Sequence, residues 1–590
     1  MTEIIETDVL VVGGGTGGTA AAIQSARRGV KTLLVSEFPW LGGMLTAAGV
    51  TAPDGNELAA LQTGLWGAFL RALEIRQPGG LNNAWVSFFT YEPAVGAEIF
   101  ADWVKALPTL DWRWGHRPRA VLKQADRITG IAFDDFTVHA QITLDGTELG
   151  DLLALGDVPH RWGWESKAEW GEPSAPESLS DPADPLAPIL ERYPVQSPTW
   201  VVVLQDFGDE TAPEIPTASD ADFAGAWEGY GPEKFLNYGR LPGDRFMLNW
   251  PQQGNDYGVG LNRLLDSDGG RQQFGLEARN HSQQFAHYIQ TQLGRRYGLA
   301  ENVFPTGHGL GGGAFALYPY YRESRRLVGV STVTETDILP VGQAAPLPVN
   351  GDGVVSAIAI GNYPNDHHYP GFQMPLAPKS IRWGGRWTGT PFAIPYEALV
   401  PVNTDGLLAC DKNISISHIA NGATRLQPVV LSVGQAAGMA AALCVQHQCS
   451  PRQLSVRTLQ RALLTDPQAP MAIAPDYGLL PHHPDWVTQQ LAHLASDGKR
   501  GDFPRATDTS DGPSAQPVQT ADAQALIGTF QCEADQTYWL ETETAQWGLV
   551  TLLPSVNRDF KTLTPGTRVR ATGYPNASGG WLQTHQIIKC

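Results

Sequence analysis

The N-terminal stretch VLVVGGGTGGTAAAIQSARRGVKTLLVSE, residues 9–37, constrains the fold more than any other part of the chain. Residues 9–12 are a short, mainly β-branched apolar run, typical of a strand buried on both faces of a parallel sheet. Gly13, Gly15 and Gly18 follow in the spacing G-x-G-x-x-G, which allows a tight turn, close approach of a pyrophosphate and close helix packing. A helix over 18–28 and a second strand over 31–35 complete the unit. This order predicts a Rossmann-type dinucleotide-binding fold.

Polar groups of this unit supply the first candidate ligand contacts. The amides around Thr16 and Gly17 open the helix, so they and the helix dipole are expected to face the phosphates. Glu37 ends the second strand 24 positions after Gly13, close to the spacing at which an acid binds a ribose diol. A glycine-rich turn of another α/β protein is the alternative, and the complete order of elements favours the dinucleotide.

A second glycine pair follows the acid in WLGGMLT, residues 40–46, and NAD binding does not need it. Here the sequence resembles the FAD-dependent oxidoreductases of the glutathione-reductase-like, two-dinucleotide-binding superfamily. The resemblance implies non-covalently bound FAD whose pyrophosphate and ribityl chain lie along Gly42, Gly43, Met44 and Thr46. In that superfamily the acid follows the strand directly, where this chain has Ser36, so Ser36 and Glu37 are alternative ribose contacts.

Two later segments extend the resemblance. DGTELGDLLAL, residues 145–155, fits the family's turn beside the cofactor, with Asp145 and Thr147 as its polar groups. A plain strand–turn–helix is the alternative interpretation. In LLACDKNIS, residues 407–415, relatives have a glycine where Asp411 stands, which is expected to alter contacts near the ribityl chain.

The stretch SHIANGATRLQPVVLSVGQAAGMAAALCV, residues 417–445, predicts a polar, glycine-containing loop that leads into a long, alanine-rich helix. In the family a late helix points its N-terminus at the flavin N1–C2=O edge, so the resemblance assigns Arg425, Gln427 and Pro428 to the cofactor. Arg425 and the helix dipole would then stabilise negative charge on the reduced ring. An ordinary core helix is the alternative.

The resemblance covers about residues 5–450, and it extends to relatives often described as xanthan-lyase-like flavoproteins. It is specific for FAD binding but implies no particular substrate, because one fold supports many chemistries. No second G-x-G-x-x-G occurs, so a built-in NAD(P)H site is not predicted.

Four histidines are candidate proton acceptors, because an imidazole titrates near neutral pH. His418 enters the late helix, His367 and His368 form a polar cluster with Asp366, and His308 lies in a glycine-rich loop. Each could instead be an ordinary hydrogen-bonding residue. Adjacent histidines on a strand point apart, so no metal site is predicted.

Three arginines in YRESRRL, Arg322, Arg325 and Arg326, are candidates for binding a substrate carboxylate. Buried ion pairs with Glu323 and Glu335 are the alternative, and we favour this structural role.

Composition limits the remaining function classes. The 590 residues carry a net charge of −19 without a long basic run, so nucleic-acid binding is not expected. The acidic start MTEIIETDV lacks a signal-peptide core, and no run of 18 apolar residues suggests a membrane span. Five cysteines without a C-x-x-C pair favour reduced thiols and a cytoplasmic location. A homo-oligomer is compatible with these features.

The fold predicted is α/β: a Rossmann-type FAD-binding domain (GR2-like), a large inserted α+β substrate or cap domain and a small C-terminal β-barrel. The expected boundaries are 1–158 for the first part of the FAD domain, 159–395 for the insert, 396–496 for the return segment, 497–523 for a linker and 524–590 for the barrel. The barrel resembles an OB type without a basic groove, which indicates a structural or oligomerisation module.

The function predicted is oxidation of a small organic substrate by hydride transfer to the flavin N5. An amine or amino-acid oxidase that uses O2 is one alternative. A flavoprotein with structural FAD that binds a partner through its barrel is the other. The electron acceptor, O2, a quinone or a carrier protein, stays open at this point.

Overall fold

A computed structural model of the chain describes residues 3–217, 221–266, 268–342, 344–495 and 523–590. The predicted linker, 497–523, lies outside the described residues except for its last position.

The helices in the described part are rarely longer than four turns. They are α1 Thr16–Arg27, α2 Gly64–Arg76, α3 Pro93–Lys105, α4 Asp151–Leu155, α5 Lys167–Trp170, α6 Ala187–Arg192, α7 Pro232–Leu236, α8 Asp268–Leu293, α9 Glu335–Ile338, α10 His418–Thr424, α11 Gln427–His447, α12 Val456–Leu464, α13 Trp486–Leu494 and α14 Pro554–Thr562.

The strands fall into one large sheet, several small sheets and a barrel. They are β1 Glu3–Val12, β2 Thr32–Ser36, β3 Leu110–Trp114, β4 Ala120–Gln124, β5 Arg127–Ala132, β6 Phe136–Asp145, β7 His160–Arg161, β8 Val202–Asp206, β9 Arg240–Leu241, β10 Arg245–Leu248, β11 Tyr297–Leu299, β12 Arg326–Leu327, β13 Ala357–Asn362, β14 Ser380–Trp383, β15 Arg386–Gly389, β16 Pro391–Pro395, β17 Leu407–Ala409, β18 Gln524–Ala534, β19 Thr537–Glu541, β20 Gln546–Val550, β21 Arg568–Asn576 and β22 Trp581–Lys589.

The large sheet has the order β3-β2-β1-β6-β5-β4, and β17 also pairs with β6. Strands β3, β2, β1, β6 and β17 run parallel, β5 runs antiparallel to β6, and β4 runs antiparallel to β5. In the central register Val12 lies opposite both Val35 and Asp145, so the ends of β1, β2 and β6 meet at one edge. The Rossmann-type α/β unit predicted from residues 9–37 is confirmed.

Helix α1 follows β1 directly and packs on α11 from the C-terminal half of the chain. Glycines at the contact let the two backbones meet, because a Cβ on Gly434 would lie 2.1 Å from the Gly17 carbonyl oxygen. The predicted loop before α11 is partly wrong, since residues 418–424 form α10. Ser417 caps α10 by accepting a hydrogen bond from the Ala420 amide, 3.1 Å away, and such a cap stabilises a short helix.

Among the described helices, α11 alone has the length and apolar composition that crossing a membrane would require, but 94% of that window is buried inside the protein. Its apolar surface is therefore used by the core that it shares with α1 and the large sheet.

A second hydrophobic core forms around the sheet β11-β8-β10-β9 and helix α8, within the predicted insert. It also takes in Met44, Val50, Ile419 and Val430 from the cofactor-binding half. The two halves of the molecule therefore meet along the second glycine pair and the start of α11.

The C-terminal strands close into a barrel in the order β18-β19-β20-β22-β21, with α14 between β20 and β21. The barrel has its own small core and contacts the hairpin β14–β15, where the Gly384 amide donates to Asn557 Oδ1 and the Thr551 amide donates to the Gly384 carbonyl. Asn576 Nδ2 donates to Asn82 Oδ1 and to the Ala84 carbonyl, which ties the barrel to the first 100 residues.

Candidate functional site

A cavity of about 430 Å³ opens where β1, β2 and β6 end. Its walls include five residues predicted from the sequence, and the inserted segment closes the other side. The cavity is lined by Gly13, Gly15, Ser36, Glu37, Thr147, Arg117, Trp200, Arg271, Leu310 and Tyr321 among others. Its position at the carboxyl ends of parallel strands is the one at which Rossmann-type folds bind nucleotides.

The two alternative ribose contacts differ in their hydrogen bonds. The Ser36 hydroxyl donates to the Phe38 carbonyl, 3.0 Å away, and accepts from Trp112 Nε1 at 2.9 Å. Glu37 forms an ion pair with Arg117, and both side chains keep more than a third of their surface exposed. Glu37 is therefore freer than Ser36 to bind a ribose.

A carboxylate of the protein already binds at the N-terminus of α1. The Gly17 amide donates to Asp411 Oδ2 at 2.7 Å, and Lys412 Nζ binds Asp411 Oδ1 at 3.0 Å and Glu148 Oε2 at 2.6 Å. Burial alone would lower the pKa of Lys412, but these two carboxylates raise it above its usual range. Asp411 thus already takes the Gly17 amide, and a phosphate would bind the remaining amides of the glycine loop.

The second glycine pair packs directly on this loop. Thr16 Oγ1 donates to the Gly42 carbonyl at 2.8 Å and accepts from the Met44 amide at 3.2 Å. Thr46 Oγ1 donates to the Leu41 carbonyl at 2.5 Å. Both threonines are fully buried, so the segment of Gly42, Gly43, Met44 and Thr46 packs behind the glycine loop and supports it.

The turn after β6 is held by Asp145, which does not line the cavity. Its Oδ1 accepts from the Thr147 amide at 3.0 Å and from the Thr147 hydroxyl at 2.6 Å. Burial raises the pKa of Asp145 to about 7. Asp145 therefore positions Thr147, and Thr147 faces the cavity.

Unpartnered buried polar atoms gather near the start of α11. They are Arg425 Nε, Gln427 Oε1, Thr51 Oγ1, Asn365 Oδ1 and Asn365 Nδ2. Gln427 Nε2 donates to the Val50 carbonyl and Arg425 donates to the Asp366 carbonyl, so these segments are neighbours. Buried polar atoms normally have partners, and a ring that carries both donors and acceptors would satisfy them. Pro428 lies in the first turn of α11 and lacks an amide hydrogen.

Arg425 ends α10 and is 2% exposed. Its guanidinium donates to the Tyr320 hydroxyl at 2.5 Å and to Asp366 Oδ2 at 3.0 Å. Arg425 is therefore already part of an ion pair, and only Nε is left without a partner.

His418 is fully buried in a chain of hydrogen bonds. Its Nδ1 lies 2.8 Å from Glu323 Oε1 and its Nε2 lies 2.6 Å from the Tyr369 hydroxyl, which also lies 2.9 Å from His367 Nδ1. His367 Nε2 donates to the Ile419 carbonyl, 3.0 Å away. Burial lowers the pKa of His367 to about 3, so this ring is neutral and its Nδ1 accepts from Tyr369. The Tyr369 oxygen then accepts from His418 Nε2, and His418 Nδ1 lies beside the Glu323 carboxylate.

His368 lies between two carboxylates, with Nδ1 2.6 Å from Asp256 Oδ2 and Nε2 2.9 Å from Asp366 Oδ2. Burial opposes ionisation of Asp366, but His368 and Arg425 hold its pKa well below the usual range. The Asp366 side chain keeps 40% of its surface exposed. The structure thus joins His368 to Arg425 through Asp366.

His308 lies elsewhere. Its ring packs edge-on against Trp114 at 5.4 Å, and the next residues, Gly309 and Leu310, line the nucleotide cavity. Within the described residues, no group of three or more His, Cys, Asp or Glu side chains could hold a metal ion.

The three arginines all form buried ion pairs. Arg322 binds Asp256, Arg325 binds Asp151, and Arg326 binds Glu165 and Glu323, at 3.0 to 3.3 Å. The prediction that Glu335 is an ion-pair partner of these arginines is wrong, because the Glu335 carboxylate accepts from the Ser174 amide and hydroxyl instead.

Sequence reasoning missed a group that faces the Asp366 carboxylate. Asp54, Tyr238 and Tyr363 form no ion pair and no side-chain hydrogen bond with other described residues. After burial, the negative charges of Asp54 and Asp366 are the largest causes that raise the pKa of both tyrosines. We call the cluster of Asp54, Tyr238, Tyr363 and Asp366 the acceptor chamber. No local motif marks it, because its walls come from three distant segments.

A family model described as FAD dependent oxidoreductase matches residues 8–463, which is more than half of the chain. Among solved structures, GidA of Aquifex aeolicus is 16% identical over 27% of this chain and 32% of that chain, with a TM-score of 0.19. The flavin-dependent brominase Bmp2 is 11% identical over 35% and 48% of the two chains, with a TM-score of 0.23. L-proline dehydrogenase from P. horikoshii is 14% identical over 25% and 23%, with a TM-score of 0.16. The matches span less than half of each of these proteins.

Proposed function

The chain belongs to the FAD-dependent oxidoreductase family, and from this premise we propose that it oxidises a small organic substrate by hydride transfer to the flavin N5. FAD is its cofactor and the chain is an enzyme. The adenosine and pyrophosphate are assigned to the 430 Å³ cavity, with Glu37 at the ribose and the α1 amides at the phosphates. We expect FAD to bind non-covalently, as the family resemblance implies.

The bound FAD supplies the two-electron acceptor, and the protein supplies orientation, charge and a proton acceptor. The unpartnered atoms of Asn365, Arg425 and Gln427 hold the polar edge of the ring. The start of α11 and the Arg425 guanidinium favour negative charge at that edge. Insert residues such as Trp200 and Tyr321 line the same cavity.

The observation that carries this proposal is Arg425 Nε, a buried donor without a partner at the start of α11. An unmade hydrogen bond at a buried polar group costs about 1–3 kcal/mol, so a ligand that accepts a hydrogen bond from this Nε would stabilise the arrangement.

His418 is better described as a positioning residue than as the proton acceptor. Both of its ring nitrogens are hydrogen-bonded and its side chain is fully buried. The chain from Glu323 through His418 and Tyr369 to His367 instead holds the segment that carries Asn365 and Asp366.

The test begins with the absorption spectrum of the purified protein, which is expected to show bound oxidised flavin. Candidate amines, hydroxy acids, amino acids and sugars are then added without oxygen, and one class is expected to bleach the flavin. Readmitted air will reoxidise it quickly if O2 is the acceptor. Bound flavin that no compound bleaches would instead support structural FAD and partner binding.

Arg425 gives a sharper test of charge stabilisation. Arg425→Met removes the cation and is expected to lower the two-electron midpoint potential by about 30–60 mV, which corresponds to about 1.4–3 kcal/mol. Arg425→Lys keeps the charge and should retain most of the potential. Arg192→Met, at an exposed position, serves as the matched control. An unchanged potential in Arg425→Met would contradict the role of this residue.

A further inference from the structure

The walls of the acceptor chamber come from three parts of the chain that hydrogen bonds bring together. The Asn56 amide donates to the Asn362 carbonyl at 3.2 Å, which places the segment of Asp54 beside that of Tyr363. Ser87 Oγ donates to the Pro53 carbonyl at 2.5 Å, and the Trp85 ring, two residues before Ser87, lies 5.1 Å from Tyr238. Asp54 therefore lies between the segments that carry the two tyrosines.

Apart from the Tyr238 and Tyr363 hydroxyls, which can donate or accept, the polar groups of the chamber are acceptors without a donor among the described residues. Asp366 uses only Oδ2 in its bonds to His368 and Arg425, so Oδ1 is free on the exposed 40% of its surface. The Asp54 carboxylate is half-buried and has no partner among the described residues. Two further oxygens, Asn56 Oδ1 and Asn362 Oδ1, are buried without partners in the same segments, and these residues are 3% and 2% exposed.

The arginine side chains near the chamber already have hydrogen-bond or ion-pair partners. The Arg322 side chain is fully buried and donates to Ser197, Thr199 and Asn249, while Arg386 forms an ion pair with Glu57 at 3.4 Å. The terminal nitrogens of Arg425 bind Tyr320 and Asp366. A substrate carboxylate would thus meet carboxylates without a free cation among the described residues, whereas a substrate with several N–H donors would satisfy the unpartnered oxygens.

We propose that the acceptor chamber binds the protonated amino group of an amine substrate that lacks a neighbouring carboxylate, and that Asp54 accepts a proton from it. This inference rests on the proposed oxidation and names its substrate class. In this step one ammonium N–H bond breaks, an O–H bond forms on Asp54, and the electron pair stays on nitrogen. The product is a neutral amine, the form that can be oxidised at the adjacent carbon, beside a neutral carboxylic acid.

The electrostatics support Asp54 as the acceptor. Burial, and then the charge of Glu57, raise the pKa of Asp54 well above its usual value, whereas Arg386 and Arg425 oppose this shift. A base with a raised pKa accepts a proton at neutral pH more readily than an ordinary carboxylate does. Asp366 differs, because His368 and Arg425 keep it ionised, and it is suited to hold the ammonium in place.

The test measures binding to the FAD-loaded protein by calorimetry without oxygen at pH 7.5. The probes are matched sets of amine, alcohol and carboxylate in three sizes, from methyl through butyl to benzyl. In at least one size the amine is expected to bind at least tenfold more tightly than its alcohol and carboxylate partners. The proposal would be overturned if an alcohol or carboxylate bound as tightly as its amine partner, or more tightly. It would also be overturned if no amine bound with a dissociation constant below 10 mM, about the weakest binding that this comparison can rank.

Variants separate Asp54 from a general effect of charge. Asp54→Asn is expected to weaken amine binding tenfold or more and to leave the flavin spectrum intact, whereas Asp209→Asn, at an exposed position, should bind normally. If Asp54→Asn fails to fold, Tyr238→Phe removes only one chamber hydroxyl and is expected to weaken binding two- to tenfold. Unchanged binding in the folded variant would refute the assignment.

This test and that of the proposed function fail differently. Amine binding is measured without turnover, so its failure leaves flavin reduction by another substrate class possible. A protein that binds amines but whose flavin no compound reduces would support the chamber and contradict the oxidation.

Discussion

Two buried histidines share one hydrogen-bond partner, the Tyr369 hydroxyl. Its hydroxyl accepts from His418 and donates to His367 at 2.6 and 2.9 Å. Tyr369→Phe leaves one buried donor and one buried acceptor without partners, and the expected cost is about 1–3 kcal/mol in the free energy of unfolding. Urea denaturation of the FAD-loaded protein measures it.

Tyr288→Phe is the matched control, because that hydroxyl makes no hydrogen bond with other described residues. The proposed positioning role also predicts a weaker flavin site in Tyr369→Phe, since His367 holds the segment of Asn365. A variant as stable as the control would show that the hydrogen-bond chain is unimportant.

Glu172 makes stability depend on pH. Burial, with Glu165 and Glu335 nearby, raises the pKa of Glu172 from 4.5 to about 7, although Ser417 and the Glu335 amide donate to it. The folded protein therefore holds this proton more tightly than the unfolded chain. The stabilisation is complete below about pH 4.5 and is lost as the pH rises to about 7, at most about 3 kcal/mol.

Glu172→Gln should remove this dependence. The thermal midpoint of the variant, relative to the natural protein, is expected to rise between pH 5 and pH 8. Glu177→Gln, an exposed residue paired with Lys167, should show no such trend. Parallel pH profiles for Glu172→Gln and the natural protein would contradict the shifted pKa.

At the scale of elements, the contact between α1 and α11 links the two ends of the cofactor site. A Cβ on Gly434 would meet the Gly17 carbonyl, and the Gly17 amide faces Asp411 at the phosphate end. Gly434→Ala is expected to cost about 1–3 kcal/mol by overpacking and to weaken FAD binding about tenfold. Fluorescence titration of the apoprotein with FAD measures this affinity.

Gly79→Ala is the control, because an added Cβ would meet no atom within 4 Å there. FAD affinity in Gly434→Ala equal to that of the control would mean that α11 does not position the glycine loop.

At the scale of the whole molecule, Asn576 fastens the barrel to the cofactor domain. Its amide donates to Asn82 Oδ1 at 2.6 Å and to the Ala84 carbonyl at 2.7 Å, and it is 2% exposed. Asn576→Asp replaces the donor with a buried charge. We expect faster proteolytic release of the C-terminal fragment and an unchanged flavin spectrum, because the barrel has its own core.

Asn403→Asp, at an exposed position, should be cleaved like the natural protein. Loss of flavin in Asn576→Asp at the same rate as barrel release would instead mean that the barrel supports the cofactor site directly.

The fold could be predicted from the sequence where the residues of one structural unit follow one another along the chain. Gly13, Gly15 and Glu37 follow one another along a single βαβ unit, and all three line the nucleotide cavity. The helix α11 was visible as a run of small residues. The helix α10 was not, because residues 418–424 are a short run of mixed polar and small residues that includes Gly422, and its cap and buried environment stabilise it.

The sequence by itself determined the dinucleotide unit, the cofactor family and the long helix α11, because neighbouring residues specify turns, helices and strand burial through local physics. Only the tertiary structure decided the hydrogen-bond partners of the histidines and the acceptor chamber. His418 and Glu323, like Asp54 and Tyr363, are far apart in the chain, and their proximity depends on how the sheet and the insert pack. The charge, the burial and the hydrogen-bond partners of a side chain depend on that packing, so no local sequence pattern encodes them.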